Sequence, residues 1–454
     1  MKITGIEIDE YRQFKDIKFD FTYPADHPTK AGRPLDKVCF IGQSGTGKTT
    51  LLNIIWNFFI INDDGYQLYK RKQLNRINSL DPYRVFEKVA VTANANGKSV
   101  RFDNHNFKSY EDSLFENLSV IASSVEWLLE SQIQGEVEIA NKLCLYVDDS
   151  SINHSYTLTA NRNESDFGNK VYVANSNDIF LANEKREEIT AKLINSKVMA
   201  LQSLDSRYLW NYLLNDIDRY DENLKKIAID LIQKNGSFSP NRLADKLNKW
   251  QEENPNPKID IAYNCLNPIL GNFFLEVDIE GTEAPIVIKT QSGIALTYDT
   301  LSTGTKQLLA TAIPIYKSHI ENGVVLFDEP ERSLFPDIQR ILIRYYTSLA
   351  PEAQFFFATH SPIIASAFEP CERFILYFNE NGEVKCRNGV APEGDDPNDV
   401  LSEDFGLDEL MLKPGLDAYQ RYRNLFIEIK NEKDPVRQKE LIVEQAKLGD
   451  LYKF

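Results

Sequence analysis

Nine consecutive residues near the N-terminus have the types and spacing of a phosphate-binding loop. The segment Gly42-Gln43-Ser44-Gly45-Thr46-Gly47-Lys48-Thr49-Thr50 contains the pattern G-x-x-x-x-G-K-[ST]. Its glycines let the backbone turn several N–H groups inward, where they can donate to phosphate oxygens. Lys48 can reach the β- and γ-phosphates of a nucleotide, and the Thr49 hydroxyl can coordinate Mg²⁺. We therefore expect residues 42–50 to bind a nucleotide with its metal ion.

Two carboxylates at the end of an apolar run form a second candidate group. Asp328 and Glu329 follow four apolar residues, 324–327, which predict a buried parallel strand. The carboxyl end of such a strand is where open α/β sheets bind ligands. There Asp328 could hold Mg²⁺ through its water ligands, and Glu329 could activate an attacking water. A further predicted strand, 354–358, ends just before His360, which could contact the γ-phosphate. Read alone, an Asp-Glu-Pro sequence could equally begin a helix.

The elements around the loop are those that such a site requires. Residues 37–41 predict a short buried strand and residues 50–59 an apolar helix, so the loop lies between a strand and a helix. Residues 2–21 predict two strands, and the prolines of 22–36 predict a loop. The remaining predictions are a hairpin around 94–97, a helix over 110–129, strands at 143–147 and 170–174, a strand meander over 273–298, a hairpin around 379–382, and tail helices over 419–430 and 436–451.

The charge pattern changes between residues 183 and 255. Apolar residues there, including Ile189, Leu193, Val198 and Leu201, fall at helical spacing among dense charges. Prolines 255 and 257 end the pattern. We predict an inserted helical subdomain over residues 183–255.

Composition limits the classes of protein. The 454 residues carry 51 basic and 67 acidic side chains, a net charge of −16, which argues against coating nucleic acid by bulk attraction. A local basic groove stays open, although the densest basic stretch, 69–76, also suits a solvated loop. No apolar run has the length of a spanning helix, and the first residues lack the apolar core of a signal peptide. Five scattered cysteines suggest reduced thiols. We expect a cytoplasmic protein with no membrane partner.

Five segments stand in the order found in an ABC-type ATPase head, which the sequence resembles. They are the loop at 42–49, an L-S-x-G-x-x-Q signature at 301–307, the strand ending in Asp328-Glu329, a D-loop-like turn at 330–336, and a switch histidine, His360. Residues 11–14 resemble the entry of RecF-like and SMC-like heads. The whole is similar to the OLD-type ABC ATPases, many of which belong to bacterial phage-defence systems. The resemblance covers residues 1–182 and 258–380.

The resemblance implies a fold, ligands and a shared site. The fold would be α/β, a P-loop NTPase of the ABC-type head with a mixed sheet, an antiparallel β lobe, a helical insert and a helical C-terminal tail. ATP and Mg²⁺ would be the ligands, held between two heads of a homodimer or higher homo-oligomer. Ser302 and Gly304 would donate to the γ-phosphate held by Lys48 of the partner subunit. Arg12 would contact the nucleotide. The family's Q-loop glutamine is not assigned, because Gln132 and Gln134 lie in the right half of the chain but no flanking pattern selects either.

These expectations divide the chain into four parts. Residues 1–182 would form the first part of the ATPase head, 183–255 the helical insert, 256–390 the second part of the head, and 391–454 the helical tail. The tail lacks the D-x-D pattern of a Toprim nuclease and has no histidine after His360. We therefore expect effector chemistry to reside in a separate protein.

Three functions are compatible with these features. The first is an ATP-hydrolysing sensor or scaffold of an anti-phage defence system, which controls a separate effector, expected to be a nuclease. The second is a RecF-like DNA-repair ATPase that clamps DNA when ATP binds. The third is a transporter motor, which the signature fits but the lobe and the helical insert do not.

Overall fold

The computed structural model describes residues 1–61, 85–95, 97–103, 142–147, 197–201, 213–234, 240–281, 284–297, 300–407, 409 and 411–454. Several predictions fall outside these ranges and keep that status: the helix over 110–129, the strand at 170–174, the basic stretch 69–76, and the candidates Gln132 and Gln134.

Fourteen strands lie within the described ranges. They are β1 Lys2–Tyr11, β2 Phe14–Asp20, β3 Lys37–Gly42, β4 Val89–Ala95, β5 Lys98–Phe102, β6 Cys144–Val147, β7 Val198–Ala200, β8 Leu275–Val277, β9 Ile288–Thr290, β10 Ala295–Leu296, β11 Val324–Asp328, β12 Gln354–Ala358, β13 Arg373–Phe378 and β14 Val384–Asn388.

The α-helices of the same ranges vary from single turns to five turns. They are α1 Lys48–Ile61, α2 Asn215–Lys234, α3 Pro240–Glu253, α4 Pro257–Asp260, α5 Asn267–Leu270, α6 Thr303–Lys317, α7 Pro336–Leu349, α8 Pro362–Ala365, α9 Pro397–Glu403, α10 Lys413–Asn431 and α11 Pro435–Tyr452. A π-helical turn, Ile261–Leu266, joins α4 to α5, and short 3₁₀ turns lie at Gly271–Phe273 and Pro370–Glu372.

A seven-stranded sheet forms the centre of the molecule. Its strand order is β14-β13-β3-β12-β11-β6-β7, and every neighbouring pair is parallel except β13 with β14. Strands β11 and β12 are buried along their whole length. This matches the continuous apolar runs in the sequence, because a parallel sheet is covered on both faces. The predicted α/β P-loop fold is confirmed.

The register of the sheet brings three strand ends together. Asp328 pairs with Ala358, and Ala358 pairs with Phe40, so β11, β12 and β3 finish at the same edge. The phosphate-loop glycine Gly42 follows Phe40 by two residues. Every candidate residue that the sequence placed after one of these strands therefore emerges at one edge.

The predicted antiparallel lobe is a four-stranded sheet of order β2-β1-β4-β5. Gln354, fully buried, joins it to the central sheet: its amide accepts from Ile3 N at 2.7 Å and donates to Ile3 O and Leu35 O at 2.9 and 2.8 Å. Phe21 adds an apolar contact, since its ring lies 5.1 Å from that of Phe374 and 5.2 Å from that of Phe356. The lobe is thus fixed against the strands that carry the loop.

The predicted meander forms a separate three-stranded sheet, in the order β10-β9-β8, and leads into α6. Its strands are shorter than the apolar runs that predicted them. The hairpins around 94–97 and 379–382 are confirmed by the antiparallel pairs β4–β5 and β13–β14. Within the described ranges, no helix is long and apolar enough to cross a membrane. The five cysteines all lie in those ranges and are free thiols.

One prediction for the helical insert was wrong. Val198–Ala200 is a strand, β7, that pairs in parallel with β6 at the edge of the central sheet. Val198, Met199, Ala200 and Leu201 are all buried, and a short continuous apolar run of this kind suits a buried strand better than one face of a helix. The described part of the insert after it is helical, in α2 and α3. The domain boundaries remain predictions.

The predicted tail helices form a hairpin, α10 and α11, that packs along its own length. Leu425 and Leu441 are buried between the two helices. Arg421 crosses from α10 to Glu444 of α11 at 2.8 Å and also contacts Glu428 at 2.7 Å. Tyr422 packs on the terminal Phe454, with ring centroids 5.6 Å apart.

Candidate functional site

The phosphate-loop glycines have backbone angles that side chains oppose. Gly42, Gly45 and Gly47 have φ values of +143°, +86° and +100°. A Cβ on Gly42 would lie 2.1 Å from Leu376 O, and one on Gly47 would lie 2.0 Å from Gln13 Nε2. Gly45 has open space around it, so only its φ demands glycine. The loop therefore has the conformation that the motif predicted.

Lys48 begins α1 and folds back over the loop. Its ammonium group donates to Gly42 O at 2.9 Å and to Gln43 O at 3.2 Å, and the residue is 7% exposed. Burial lowers the pKa of Lys48, while the carboxylates of Asp328 and Glu329 act in the opposite direction. A phosphate group at this position would replace the carbonyl acceptors with charged ones, which form stronger hydrogen bonds.

Thr49 and Asp328 meet at the end of β11. Thr49 Oγ1 donates to Asp328 Oδ2 at 2.7 Å, and Asp328 is buried. A hydroxyl and a carboxylate are the hard oxygen ligands that Mg²⁺ prefers, with water and phosphate completing its shell. Within the described ranges, no group of three or more His, Cys, Asp or Glu side chains is placed to hold a metal. This donor set fits a Mg²⁺ that is held largely by substrate and water.

Glu329 occupies a strained position just after the strand. Its φ is +50°, in the left-handed region that residues with a Cβ rarely adopt. Its N–H donates to Ala358 O at 2.8 Å, which holds the residue against the end of β12. Its side chain is half-buried. Strain of this kind persists only where neighbouring contacts enforce it, and it is frequent at functional sites.

His360 stands beside these groups with an exposed side chain. Partial burial, with the positive charge of Lys48 as the next cause, lowers the pKa of His360, and Glu329 opposes this. Lys48 and Glu329 therefore lie close enough to His360 for their charges to act on it. A lowered pKa keeps the imidazole largely neutral near pH 7, so that one ring nitrogen can donate and the other accept.

Glu331 belongs to the same cluster, and sequence reasoning did not single it out. Its Oε1 accepts from Thr359 Oγ1 at 2.7 Å and from His360 N at 3.0 Å. Burial, with a smaller effect of Glu329, raises the pKa of Glu331. Glu331 therefore joins the turn after β11 to the turn after β12.

The signature segment is fixed to the turn after β11. Ser302 caps α6, accepting from Thr305 N at 3.1 Å, and remains exposed. Gly304 is buried, and a Cβ there would lie 2.7 Å from Ser333 O. Gln307 is fully buried and donates to Pro330 O at 3.1 Å. The proposed contacts of Ser302 and Gly304 with a partner's nucleotide remain predictions.

The turn between β1 and β2 contacts the phosphate loop, and Gln13 is the residue of that turn that makes the contact. Gln13 Nε2 lies 3.4 Å from Thr50 Oγ1 and covers Gly47. Arg12, the residue that the sequence favoured, is exposed, has φ +52°, and places its guanidinium 5.5 Å from the Tyr11 ring. Its contact with nucleotide stays a prediction. Gln13 was missed because a lone glutamine carries no pattern of its own.

The remaining loop residues have distinct environments. Thr46 is buried and donates to Gln43 O at 2.7 Å, which stabilises the turn. Ser44 is exposed at the tip of the loop. The structure therefore brings Lys48, Thr49, Asp328, Glu329 and His360 to one edge of the sheet. It places Arg12 and Ser302 on the surface.

One family model and two solved structures are similar to this chain. A family model described as an AAA ATPase domain matches residues 1–365. The SmcHead bound to the C-winged helix domain of ScpA is 11% identical, covering 86% of this chain and 97% of that chain with a TM-score of 0.39. The SMC head domain from Thermotoga maritima is also 11% identical, covering 86% of this chain and 100% of that chain with a TM-score of 0.38. The family match includes every residue of the candidate site.

Proposed function

This chain belongs to the AAA ATPase domain family, and from that premise we propose that it is an ABC-type head that binds and hydrolyses Mg-ATP. In this proposal it acts as a nucleotide-dependent sensor or scaffold that controls a separate effector. The observation that carries the ATPase part is the convergence of Lys48, Thr49, Asp328, Glu329 and His360 at the common edge of three parallel strands.

Each of these residues has a role that its position supports. Lys48 and the loop N–H groups bind and orient the phosphates. Thr49 and Asp328 would hold Mg²⁺, which when bound neutralises charge on the β- and γ-phosphates. Glu329 accepts a proton from the attacking water, and neutral His360 donates to the γ-phosphate. Positioning and charge stabilisation are the main requirements of phosphoryl transfer.

We further propose that each ATP is shared between two copies of the chain. Gln307 fixes the signature by its hydrogen bond to Pro330 O, Gly304 packs closely against Ser333 O, and the cap, Ser302, faces solvent. An exposed signature serine on a rigid helix start is available to a nucleotide bound by another head. A symmetric dimer would then contain two equivalent composite sites.

Mixing inactive variants tests the shared site. Lys48→Ala and Ser302→Arg damage opposite halves of a composite site, so a mixed dimer has one intact site. Random pairing would restore about a quarter of the wild-type activity. The control mixture is Lys48→Ala with Glu329→Gln, whose defects lie in the same half, so neither composite site is intact. Equal activity in the two mixtures, with mixed dimers present, would contradict the shared site.

The effector part of the proposal is supported by the tail and by the resemblance to OLD-type ATPases of phage-defence systems. The described part of residues 361–454 contains a strand hairpin and helices, with no metal-binding cluster among its described residues. In this proposal the controlled nuclease is a second protein. The net charge of −16 gives the alternative, a DNA clamp, no electrostatic support.

The decisive experiment is affinity purification of tagged Glu329→Gln with Mg-ATP, from cells that carry the neighbouring genes. The variant should bind ATP without turnover and so hold the assembly closed. We expect a stoichiometric second protein that is released when Lys48→Ala is used instead. Nucleic acid without a second protein would favour the DNA clamp. Normal hydrolysis by Glu329→Gln would disprove the catalytic assignment.

A further inference from the structure

Glu331 holds three consecutive residues at the end of β12 through one carboxylate oxygen. Its Oε1 accepts from Thr359 Oγ1 at 2.7 Å and from His360 N at 3.0 Å. Thr359 Oγ1 in turn accepts from Ser361 N at 2.9 Å. The backbone on both sides of His360 is therefore fixed by a side chain from the neighbouring strand's turn.

The turn that carries Glu331 is itself fixed from the other side. Gln307 of α6 donates to Pro330 O at 3.1 Å, and Glu329 N donates to Ala358 O at 2.8 Å. The turn over residues 329–331 thus lies between the signature helix and the end of β12. Glu329, whose φ is a strained +50°, belongs to this doubly fixed turn.

The carboxylate of Glu331 is placed there at an energetic cost. Its second oxygen, Oε2, is buried and has no hydrogen-bond partner among the described residues. A buried acceptor without a partner loses the free energy of its hydration, and a charged one loses more. A threonine or an asparagine at position 331 could accept from one of the two donors, Thr359 Oγ1 or His360 N, without placing a second negative charge beside Glu329. Packing alone therefore does not explain why a glutamate occupies this position.

We propose that Glu331 is a positioning residue for ATP hydrolysis, which aims His360 at the γ-phosphate by fixing the turn 359–361. The inference rests on the proposed catalytic roles of His360 and Glu329. Glu331 itself need not touch the nucleotide. Its removal should lower the rate of the chemical step and leave ATP binding, which depends on Lys48 and the loop, nearly intact.

The test compares steady-state kinetics and ATP affinity in a small variant series. Glu331→Ala should lower kcat by about 10²-fold, the effect of a displacement near 1 Å in a catalytic group. Its Kd for ATP should stay within about threefold of the wild-type value. Glu331→Gln keeps an acceptor for both donors and should recover most of the rate. Glu331→Ala added to His360→Ala should lower kcat little further, because both act through one imidazole.

A matched control separates positioning from stability. Glu372 is also a buried glutamate, which accepts from Tyr23 OH at 2.8 Å and from Glu369 N at 2.9 Å. It precedes β13, at the opposite end of the sheet from the candidate site. Glu372→Ala should lose comparable stability and keep the wild-type kcat.

The outcomes distinguish this inference from the proposed function. A Glu331→Ala variant with normal kcat, in an enzyme that Glu329→Gln inactivates, overturns the positioning role and leaves the ATPase assignment in place. Additive losses for Glu331→Ala and His360→Ala also overturn it. If Glu329→Gln hydrolyses ATP normally, the proposed function itself fails.

Discussion

Gly47→Ala offers a quantitative test of the phosphate-loop geometry. The φ of Gly47 is +100°, a conformation that costs an alanine about 1–3 kcal/mol. The new Cβ would also lie 2.0 Å from Gln13 Nε2 and 2.6 Å from Phe14 Cζ. Gln13 can move aside, but Phe14 is fully buried, and overpacking such a site costs about another 1–3 kcal/mol. We expect a total cost of about 2–6 kcal/mol.

Two other glycines separate the two contributions. Gly45 has φ +86° and Gly32 has φ +70°, and a Cβ on either would meet nothing within 4 Å. Gly45→Ala should therefore show the conformational cost alone, within the nucleotide site. Gly32→Ala should show a similar cost in the loop before β3, outside that site.

Urea unfolding with and without Mg-ATP measures both effects. Without nucleotide, Gly47→Ala should lose more unfolding free energy than Gly45→Ala by the overpacking contribution, about 1–3 kcal/mol. Bound ATP stabilises the folded state according to its affinity. That stabilisation should therefore vanish for Gly47→Ala, shrink for Gly45→Ala and persist for Gly32→Ala. Equal unfolding curves and equal ATP stabilisation for Gly47→Ala and Gly45→Ala would refute the steric argument.

Two predictions concern buried charges outside the candidate site. Arg373 Nε lies 3.0 Å from Asp404 Oδ2 with both side chains fully buried, so Asp404→Asn should lower the unfolding free energy by about 3–5 kcal/mol. The adjacent exposed Glu403→Gln should change it by less than about 0.5 kcal/mol in the same urea titration. Burial raises the pKa of Glu372 above its ordinary value of 4.5, so the contribution of Glu372 to wild-type stability should fall as pH rises from 4.5 through the raised pKa. Glu372→Gln lacks this titration, so its melting temperature should change differently with pH over that range. If the melting temperatures of the two proteins change in parallel with pH, the burial argument is contradicted.

The position of the candidate residues at one sheet edge could be predicted from the sequence because its signals are local. The phosphate loop requires glycines at positions of positive φ, and these glycines lie within nine adjacent residues, 42–50. Strands β3, β11 and β12 are continuous apolar runs, and parallel strands in one sheet share a carboxyl edge. The sequence therefore predicts that Asp328 and His360 lie at one edge.

Non-local pairing explains where the sequence failed. Val198–Ala200 is a strand because it pairs with β6, with Cys144 opposite Val198. The residues adjacent to it in the sequence give no indication of this pairing partner. The Arg373–Asp404 pair has the same character, since it joins β13 to the residue after α9. Periodicity describes one segment at a time, so it cannot identify such partners.

Glu331 could have been inferred by one further step from the predicted sheet. Asp328 pairs with Ala358 in parallel register, so the residues after each strand leave the sheet side by side. Residues 329–331 must then face residues 359–361. A carboxylate in the first turn and a hydroxyl with free backbone N–H groups in the second are complementary. Which oxygen accepts which donor needs coordinates, but the pairing of the two turns follows from strand order and register. Applied to the predicted sheet, this rule turns motifs that are distant in the chain into testable contacts between named residues.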